Sequence, residues 1–247
     1  MPLIKKDNTF GFYSHIPKCA GSSIVDSLNF NKAYVLFHRY KSSGKKEDFK
    51  SVARLHLRDY PPYPDNDKEK IFPDNSVPCS WHHWHLSLSK YYFNLDKCEY
   101  KFAVVRDPVD RLVSEYRFRQ RTYCPANDTT NWHHYDLGSH SHEMVTDDFS
   151  YWLRVCHEGS LLNPYIWDNH FRPQCEFVEP GFDIIPFNIQ KINGYLKEKI
   201  AATQGIPWIN KSQEIEATFT KEDRQFIEEW YNKDYELFAN QKDYNWI

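Results

Sequence analysis

Two segments of this sequence each combine a short apolar run, a tight polar turn and apolar residues at helical spacing. In the clearer one, residues 101–105 read Lys-Phe-Ala-Val-Val, which predicts a buried strand. Asp107 then suits the N-cap of a helix and Pro108 its first position, and apolar residues recur at helical spacing from Val109 to Tyr116. A strand that leads directly into a helix is the building unit of parallel sheets, so this feature restricts the fold more than any other.

The same order of elements recurs elsewhere in the chain. Residues 10–16 and residues 184–187 predict two further strands. Each precedes a turn with a polar residue that is able to cap a helix. Ser22 or Ser23 is the predicted cap of the helix after residues 10–16, and Asn188 that of the helix after residues 184–187. Thr220 is the predicted cap of a long helix near the end of the chain. Strands that alternate with helices predict an α/β fold, with a central, mostly parallel sheet flanked by helices and a ligand site beyond the carboxyl ends of the strands.

The length of 247 residues fits one large α/β domain, and the chain holds neither a repeat nor a linker that would divide it. We therefore predict a single domain over residues 1–247. Two long segments interrupt the pattern and predict loop insertions, because residues 59–80 are rich in proline and residues 122–148 are polar and rich in histidine. The net charge of −3 argues against a globally basic nucleic-acid-binding protein.

The sequence also bears on the cellular compartment. No apolar stretch approaches the roughly 18 residues of a membrane span, and the N-terminal residues lack the apolar segment of a signal peptide. These features predict a cytoplasmic or otherwise soluble protein, or a Golgi-lumen protein if the sequence is part of a longer chain. The six cysteines show neither a C-x-x-C pair nor a zinc-binding spacing, so reduced thiols are expected, while the disulfide state and the oligomeric state stay open.

The turn after the first predicted strand carries groups that bind anions. Residues 15–23 read His-Ile-Pro-Lys-Cys-Ala-Gly-Ser-Ser. Backbone N–H groups and the positive end of the helix dipole attract phosphate there, Gly21 permits close approach of the backbone, and Lys18 supplies a mobile charge. Lys18 precedes Gly21 by three residues, whereas the lysine of an ATP-binding P-loop follows the second glycine. The alternative interpretation is an ordinary capped helix.

The turn after residues 101–105 offers a second anion site. Arg106 leaves the strand, and Ser114 follows eight residues later, slightly more than two helical turns on. An arginine can bind a phosphate through two parallel hydrogen bonds, and a hydroxyl can donate a further one. The alternative is that Arg106 forms a structural ion pair and that Ser114 is a packing residue.

Three histidines lie upstream of the second turn, in the segment Trp81-His82-His83-Trp84-His85. The possible interpretations are a metal site, a buried structural imidazole with two surface neighbours, and a catalytic base. No obvious carboxylate or cysteine set accompanies the histidines, which disfavours a metal. On a strand, His83 and His85 would share one face. An imidazole has an ordinary pKa of about 6.5 and therefore suits a base near neutral pH.

Together, the two turns resemble the nucleotide-binding motifs of sulfotransferases that use 3′-phosphoadenosine 5′-phosphosulfate (PAPS), particularly the carbohydrate group. Residues 15–23 are similar to the family's 5′-phosphosulfate loop, H-I-P-K-x-x-G-[ST]-[ST], and residues 106–116 to its 3′-phosphate motif, R-D-P-x-x-R-L-x-S-x-Y. The resemblance implies a P-loop-kinase-like sulfotransferase fold. The residues that it assigns to PAPS are Pro17, Lys18, Cys19, Ala20, Gly21, Ser22 and Ser23 for the 5′-phosphosulfate, and Arg106 and Ser114 for the 3′-phosphate.

Further roles follow from the same resemblance. Residues 83–87 are similar to the H-x-H-[VL]-S pair of glycosaminoglycan 2-O-sulfotransferases, which implies His85 as the general base and His83 as its partner or a substrate contact. Residues 170–174 resemble an H-[WF]-x-P-Q element of carbohydrate sulfotransferases. The remaining candidates are Lys18 for stabilising the leaving phosphate, Lys211 and Ser212 as cosubstrate contacts, and Arg117, His170 and Arg172 as substrate contacts.

The sequence therefore predicts an enzyme that moves the sulfuryl group of PAPS in line to an acceptor hydroxyl on a carbohydrate or glycoconjugate. It releases 3′-phosphoadenosine 5′-phosphate (PAP) and needs no metal. Two alternatives stay open, namely an ATP-dependent kinase related to P-loop proteins and a non-catalytic glycan-binding protein on the same scaffold. The basic residues between positions 39 and 58 could hold an anionic glycan or form a solvated helix face. The acceptor and the position sulfated are left open.

Overall fold

One mixed sheet of five strands carries the fold. The structure is a computed structural model that describes residues 3–7, 9–31, 33–36, 83–122, 146, 148–206 and 218–239. The strands are β1 (Leu3–Lys6), β2 (Thr9–Ser14), β3 (Tyr34–Leu36), β4 (Tyr100–Val105) and β5 (Asp183–Pro186), arranged in the order β3-β1-β2-β4-β5. β4 is parallel to both β2 and β5, whereas β1 runs antiparallel to β2 and to β3. Four of the five strands share one direction, so the predicted mostly parallel sheet is confirmed.

Helices flank this sheet, as predicted. In the described parts of the chain they are α1 (Gly21–Phe30), α2 (Leu86–Tyr92), α3 (Pro108–Thr122), α4 (Phe149–Leu162), α5 (Ile189–Ile200), α6 (Lys221–Trp230) and α7 (Asn232–Ala239). Short 3-10 turns lie at Leu95–Lys97, Ile166–Asn169 and Gln174–Phe177. None of the helices in these parts of the chain has the length and apolar character to cross a membrane.

Three of the predicted helix caps are confirmed. Asp107 Oδ1 accepts hydrogen bonds from two backbone N–H groups at the start of α3, and Asn188 does the same for α5. Thr220 forms a capping box with Asp223 at the start of α6. The long helix predicted after Thr220 is wrong, because it ends at Trp230 and a separate helix, α7, follows.

The prediction that Ser22 or Ser23 caps the first helix is also wrong. α1 begins at Gly21, so both serines lie within its first turn. The residue at the N-cap position is Ala20, which has a left-handed backbone with φ of 63° and no side chain that could accept a hydrogen bond. The N-terminus of α1 therefore has no side-chain cap.

Two strands are additions to those predicted from the sequence. β1 and β3 pair with each other at one side of the sheet, next to β2. β1 contains two apolar residues followed by two lysines, and β3 is only three residues long. Such short segments give almost no periodic signal, so pairing within the folded sheet determines their conformation.

The core consists of two clusters of apolar side chains. One lies between the sheet and helices α1 and α5, and the other joins α3, α4 and α6 through aromatic residues. The segment 167–177 connects them, since Trp167 and Phe171 belong to the second cluster and Phe177 to the first. This connecting segment carries several of the residues that form the candidate site.

Several predictions fall outside the described residues. These are the proposed cosubstrate contacts Lys211 and Ser212, the insertion at 59–80, the basic stretch between 39 and 58, and nearly all of the insertion at 122–148. They stay predictions from the sequence.

Candidate active site

The two predicted phosphate-binding turns lie side by side at the carboxyl edge of the sheet. β2 and β4 are parallel neighbours, and Ser14 near the end of β2 is in register with Ala103 near the end of β4. Neighbouring strands are about 4.8 Å apart, so the chain leaves both strands at adjacent points of the same edge. The turn that contains Lys18 and the turn that contains Arg106 both start there.

The first turn exposes the N-terminus of α1. Lys18 and Ala20 both have left-handed backbone conformations, with φ of 66° and 63°. Within α1, the first N–H group with a backbone acceptor is that of Ile24, which donates to Ala20 O at 2.9 Å. The N–H groups of residues 21–23 precede it at the positive end of the helix dipole. A turn of this kind can bind a phosphate through backbone donors.

Gly21 is required in this turn because a histidine packs directly against it. A Cβ atom at position 21 would lie 1.6 Å from His15 Nε2. The His15 ring is itself stacked on Tyr13, with ring centres 5.6 Å apart. The close approach that Gly21 permits in this structure is therefore that of the His15 imidazole.

The second turn presents a guanidinium group rather than backbone donors. Asp107 Oδ1 already accepts from the N–H groups of Val109 and Asp110, at 2.9 and 3.1 Å. Arg106 lies over the Phe187 ring, 4.6 Å from its centre, and its buried Nε has no hydrogen-bond partner among the described residues. Burial lowers the pKa of Arg106, yet a guanidinium stays charged at any physiological pH. Ser114 lies two turns further along α3 and is partly exposed.

A single glutamine side chain joins the two turns. Gln174 Oε1 accepts hydrogen bonds from Arg106 N at 3.0 Å and from Cys19 Sγ at 3.6 Å, and Gln174 Nε2 donates to Arg106 O at 2.8 Å. Asp234 of α7, fully buried, accepts in turn from Gln174 N at 2.9 Å. The relative position of the turns is thus fixed by direct bonds as well as by the sheet.

The charges of Lys18 in the first turn and Arg106 in the second both act on the Cys19 thiol of the first turn. Burial raises the pKa of the Cys19 thiol to about 11, and the charges of Arg111, Arg106 and Lys18 all oppose that shift. The thiol therefore stays protonated near neutral pH and is not a nucleophile. Lys18 Nζ lies 4.0 Å from the centre of the Phe118 ring on α3, so its side chain extends toward the second strand–helix unit.

Three histidines from distant parts of the sequence form a buried cluster beside the first turn. The ring centres of His15 and His83 are 4.9 Å apart, and those of His83 and His170 are 4.8 Å apart. His83 Nδ1 lies 2.7 Å from Asp168 Oδ2, and His170 Nδ1 lies 2.8 Å from Glu115 Oε2. The three sequence motifs that contain these histidines thus meet at one place, and each outer ring contacts His83.

Glu115 is held in its charged form within this cluster. Burial would raise the pKa of its carboxyl, but His170, Arg119 and Lys18 outweigh burial and hold that pKa well below its usual range. Arg119 Nε donates to Glu115 Oε1 at 2.5 Å, and both side chains are buried. The Arg119 side chain therefore faces the interior of the protein.

His85 has a different environment from His83. The segment is not a strand, since His85 is the N-cap residue of α2, so the expectation of one shared strand face is wrong. The His85 ring lies 5.8 Å from that of Tyr165, and its buried Nδ1 has no hydrogen-bond partner among the described residues. Burial, assisted by the charge of Arg172, lowers the pKa of His85 to about 4. Burial likewise lowers the pKa of His83 to about 4, although Asp168 opposes the shift.

The cluster also contains a set of atoms that could hold a metal ion. One ligand atom each of His83, Asp168 and His170 lies within 4.8 Å of the others, and all three residues are buried. The sequence showed no carboxylate near the histidines, and the fold supplies one. Asp168 is already the hydrogen-bond partner of His83, however, so the contacts of this set are those of a hydrogen-bonded dyad.

The other predicted substrate contacts have partners within the fold. Arg172 Nε donates to Asn169 Oδ1 at 2.9 Å, and its guanidinium also pairs with Glu176. His170 is the partner of Glu115, as described above. Arg117 is partly exposed on α3.

Four residues of the site were not predicted from the sequence. They are Asp168, Glu115, Gln174 and Asp234. Gln174 belongs to the H-[WF]-x-P-Q element, and that resemblance was the one available signal for its importance. The carboxylates carry no sequence signal for this role, because Asp168, Glu115 and Asp234 meet His83, His170 and Gln174 only through tertiary contacts.

The chain matches a family model described as "Sulfotransferase family" over residues 3–203. This range includes both predicted phosphate-binding turns and the histidine cluster, and it confirms the prediction of a sulfotransferase. No curated protein and no solved structure shows significant similarity to the chain.

Proposed function

The chain belongs to the sulfotransferase family, and we propose that it transfers the sulfuryl group of PAPS to a hydroxyl group of a carbohydrate, releasing PAP. Sulfuryl transfer follows from the family. The nucleotide donor, the carbohydrate acceptor and the histidine base are proposals that depend on the residues of the site.

The observation that carries this proposal is the union of the two turns at one edge of the sheet. Gln174 bonds to Cys19 in the first turn and to Arg106 in the second, so the two anion-binding corners face a common region. PAPS carries a phosphate at its 3′ position and a phosphosulfate at its 5′ position. A nucleotide with two separate anionic groups is the ligand that two adjacent, differently built anion sites would take.

The first turn suits the 5′-phosphosulfate. Its donors are the N–H groups at the start of α1, the hydroxyls of Ser22 and Ser23, and Lys18, while Pro17, Cys19 and Ala20 shape the loop. Negative charge develops on the departing 5′-phosphate during the transfer. Fixed donors at that point stabilise the transition state without reorganising, which is commonly the largest catalytic contribution.

The second turn suits the 3′-phosphate. The buried Nε of Arg106 has no partner among the described residues, and a buried cationic donor is costly unless an acceptor bonds to it. A phosphate would accept from it, with Ser114 as a further donor. Since ATP has no 3′-phosphate, this side chain would distinguish PAPS from ATP.

A neutral imidazole near the first turn would supply the base. His83 contacts His15 of that turn, and His85 follows two residues later. With pKa values of about 4, both rings are neutral at pH 7 and can accept a proton from an acceptor hydroxyl. The positive charge needed at the site comes from Lys18, Arg106 and backbone donors, so no step of this proposal uses a metal.

The carbohydrate acceptor is supported by the resemblance of residues 83–87 and 170–174 to elements of carbohydrate sulfotransferases. His170 and Arg172 bond to Glu115 and Asn169 within the fold, and Arg117, which is partly exposed on α3, is a further candidate for a contact with an anionic sugar. An acidic polysaccharide would suit such a cation.

Radiolabelled [³⁵S]PAPS tests the proposal. The full chain is incubated with a panel of desulfated heparin, desulfated chondroitin, neutral oligosaccharides and small alcohols, with and without EDTA. We expect label in a saccharide and a rate that EDTA changes less than twofold. His83→Ala and His85→Ala should lower turnover and keep PAP affinity, as measured by isothermal titration. Absence of transfer to every acceptor, or Mg²⁺-dependent phosphoryl transfer from ATP instead, would contradict it.

A further inference from the structure

The contact between Asp168 and His83 determines which ring nitrogen of His83 carries the proton. His83 Nδ1 lies 2.7 Å from Asp168 Oδ2, and both side chains are almost completely buried. A carboxylate only accepts hydrogen bonds, so Nδ1 must be the donor. In the neutral form of the ring, the other nitrogen then carries no proton. The lone pair that can take up a proton is therefore on Nε2.

The backbone around Asp168 is held in an uncommon conformation. Trp167, Asp168 and Asn169 are three consecutive residues other than glycine with left-handed φ values of 49°, 61° and 63°. A left-handed backbone is strained for a residue other than glycine, and such strain concentrates at functional sites. Here the conformation places two side chains on His83.

The side chains of Asp168 and Asn169 bond to the ring and to the backbone of His83, respectively. Asp168 bonds to the ring, and Asn169 Nδ2 donates to the backbone oxygen of His83 at 2.9 Å. Asn169 is itself fixed by Arg172 Nε, which donates to Asn169 Oδ1 at 2.9 Å. The ring orientation of His83 and the position of its backbone are thus set by the same strained segment.

His85 has no comparable support. Its buried Nδ1 lacks a hydrogen-bond partner among the described residues, and its ring contacts are with Tyr165. Nothing described in its surroundings selects one tautomer of the ring. A general base works best when its lone pair is aimed before the reaction begins, so His83 is the better oriented of the two rings.

We propose that Asp168 is a positioning residue that makes His83, rather than His85, the general base of the transfer. This inference rests on the proposed function and replaces the assignment of His85 that the resemblance implied. His83 Nε2 takes the proton of the acceptor hydroxyl as that oxygen forms its bond to sulfur. The bond between sulfur and the bridging oxygen of the 5′-phosphate breaks, and its electron pair leaves with PAP.

Asp168 then stabilises the product of the proton transfer. The imidazolium formed on His83 keeps its Nδ1–H bond to the carboxylate, so the new positive charge lies next to a negative one. Among the described residues, the rings of His15 and His170 also face His83, and Glu115 accompanies His170. Asp168 is the carboxylate that the described residues place in hydrogen-bond contact with the base.

The first test needs no variant of Asp168 and no acceptor. Two-bond ¹H–¹⁵N correlation spectra of the ¹⁵N-histidine-labelled full chain at pH 7 report the tautomer of each ring, and the His83→Gln spectrum identifies the signals of His83. We expect a proton on Nδ1 and none on Nε2. A His83 ring protonated on Nε2, or on both nitrogens, would overturn the inference.

The second test separates positioning from folding. With [³⁵S]PAPS and desulfated heparin, Asp168→Asn should lower kcat at least tenfold and leave PAP affinity within threefold, because it weakens the hold on the base and spares the nucleotide site. In a His83→Gln background the same substitution should cause no further loss. Asp223→Asn, a buried aspartate in the cap of α6, is the matched control and should keep kcat while losing stability.

If the Asp168→Asn variant does not fold, a comparison of the turnover of His83→Ala and His85→Ala tests the inference. His83→Ala must then lose at least tenfold more turnover than His85→Ala, and the reverse order would overturn the inference. An Asp168→Asn enzyme with kcat within threefold of the parent would do the same. If the parent chain transfers no label to any acceptor, the proposed function fails, and the tautomer measurement still stands by itself.

Discussion

The two strand–helix turns of the site have the same architecture but offer opposite kinds of anion donor. At the start of α3, the Asp107 carboxylate accepts two backbone N–H bonds, and the free charge of the turn is the Arg106 guanidinium. At the start of α1, Ala20 provides no side-chain acceptor, so the N-cap residue does not occupy the backbone N–H groups of this turn. In the proposed site, the second turn would bind its anion through the Arg106 side chain, and the first turn would bind its anion through backbone N–H groups together with Lys18.

This difference matters for catalysis and for specificity. Backbone donors are rigid, so the first turn is suited to the group whose charge changes during the transfer. The planar guanidinium of Arg106 matches the geometry of a phosphate, so the second turn is suited to recognise the 3′-phosphate, which does not react. Substitutions in the two turns should therefore affect different measured quantities.

Lys18→Ala should produce the largest effect of the series. Removal of a preorganised donor to a developing charge commonly lowers kcat about 10²- to 10³-fold, and PAP affinity should fall much less. Initial rates with [³⁵S]PAPS and titration with PAP measure the two quantities. Lys199→Ala, at the end of α5, is the control. A Lys18→Ala enzyme with a normal kcat would remove the first turn from the chemistry.

Arg106→Ala should weaken the binding of PAP, which carries a 3′-phosphate, and should hardly affect a nucleotide that lacks this group. Loss of a hydrogen bond to a charged group costs about 1.5–3 kcal/mol, so PAP affinity should fall roughly 10- to 100-fold. Adenosine 5′-monophosphate lacks the 3′-phosphate, and its affinity should change less than threefold. Isothermal titration measures both, with the exposed Arg224→Ala as control. Equal losses for the two nucleotides would contradict the assignment of the 3′-phosphate to Arg106.

Gly21→Ala should destabilise the protein, because the added methyl group meets the His15 ring. We expect a loss of about 1–3 kcal/mol in the free energy of unfolding, measured by denaturant titration. Gly194→Ala in α5 is the matched control, since a Cβ there meets nothing within 4 Å. It should raise stability by about 0.5–1 kcal/mol. The contrast disappears if the His15 ring moves aside without cost.

Asp107→Ala should give the smallest effect and confine it to stability. Loss of this helix cap costs about 1 kcal/mol in the free energy of unfolding. PAP affinity should stay within threefold, because the N–H groups of Val109 and Asp110 that lose their acceptor are not assigned to either phosphate of PAP. Thermal unfolding and PAP titration of the same sample measure both. A tenfold loss of PAP affinity would mean that Asp107 organises the nucleotide site directly.

The parts of this site that follow from local sequence could be predicted, and the parts made by tertiary contact could not. β4 and the Asp107 cap are local, and both are confirmed. The cap of α1 is also local, but Ala20 takes a left-handed conformation that starts the helix earlier than a serine cap would. Such a conformation is uncommon outside glycine, so no residue preference indicates it.

The tertiary contacts that build the histidine cluster span long stretches of sequence. Asp168 lies 85 residues from His83, and Gln174 lies 68 residues from Arg106. A histidine motif can be recognised in the sequence, whereas the carboxylate that orients it becomes visible only when the fold brings the two together. The choice between His83 and His85 depended on such a contact.

A crystal structure of the complex with PAP would show whether one nucleotide spans both turns. We expect the 3′-phosphate within hydrogen-bond distance of Arg106 and the 5′-phosphate at the N–H groups of residues 21–23, with Lys18 beside it. A nucleotide that contacts only one of the two turns, or that binds with its phosphates exchanged between them, would contradict this expectation.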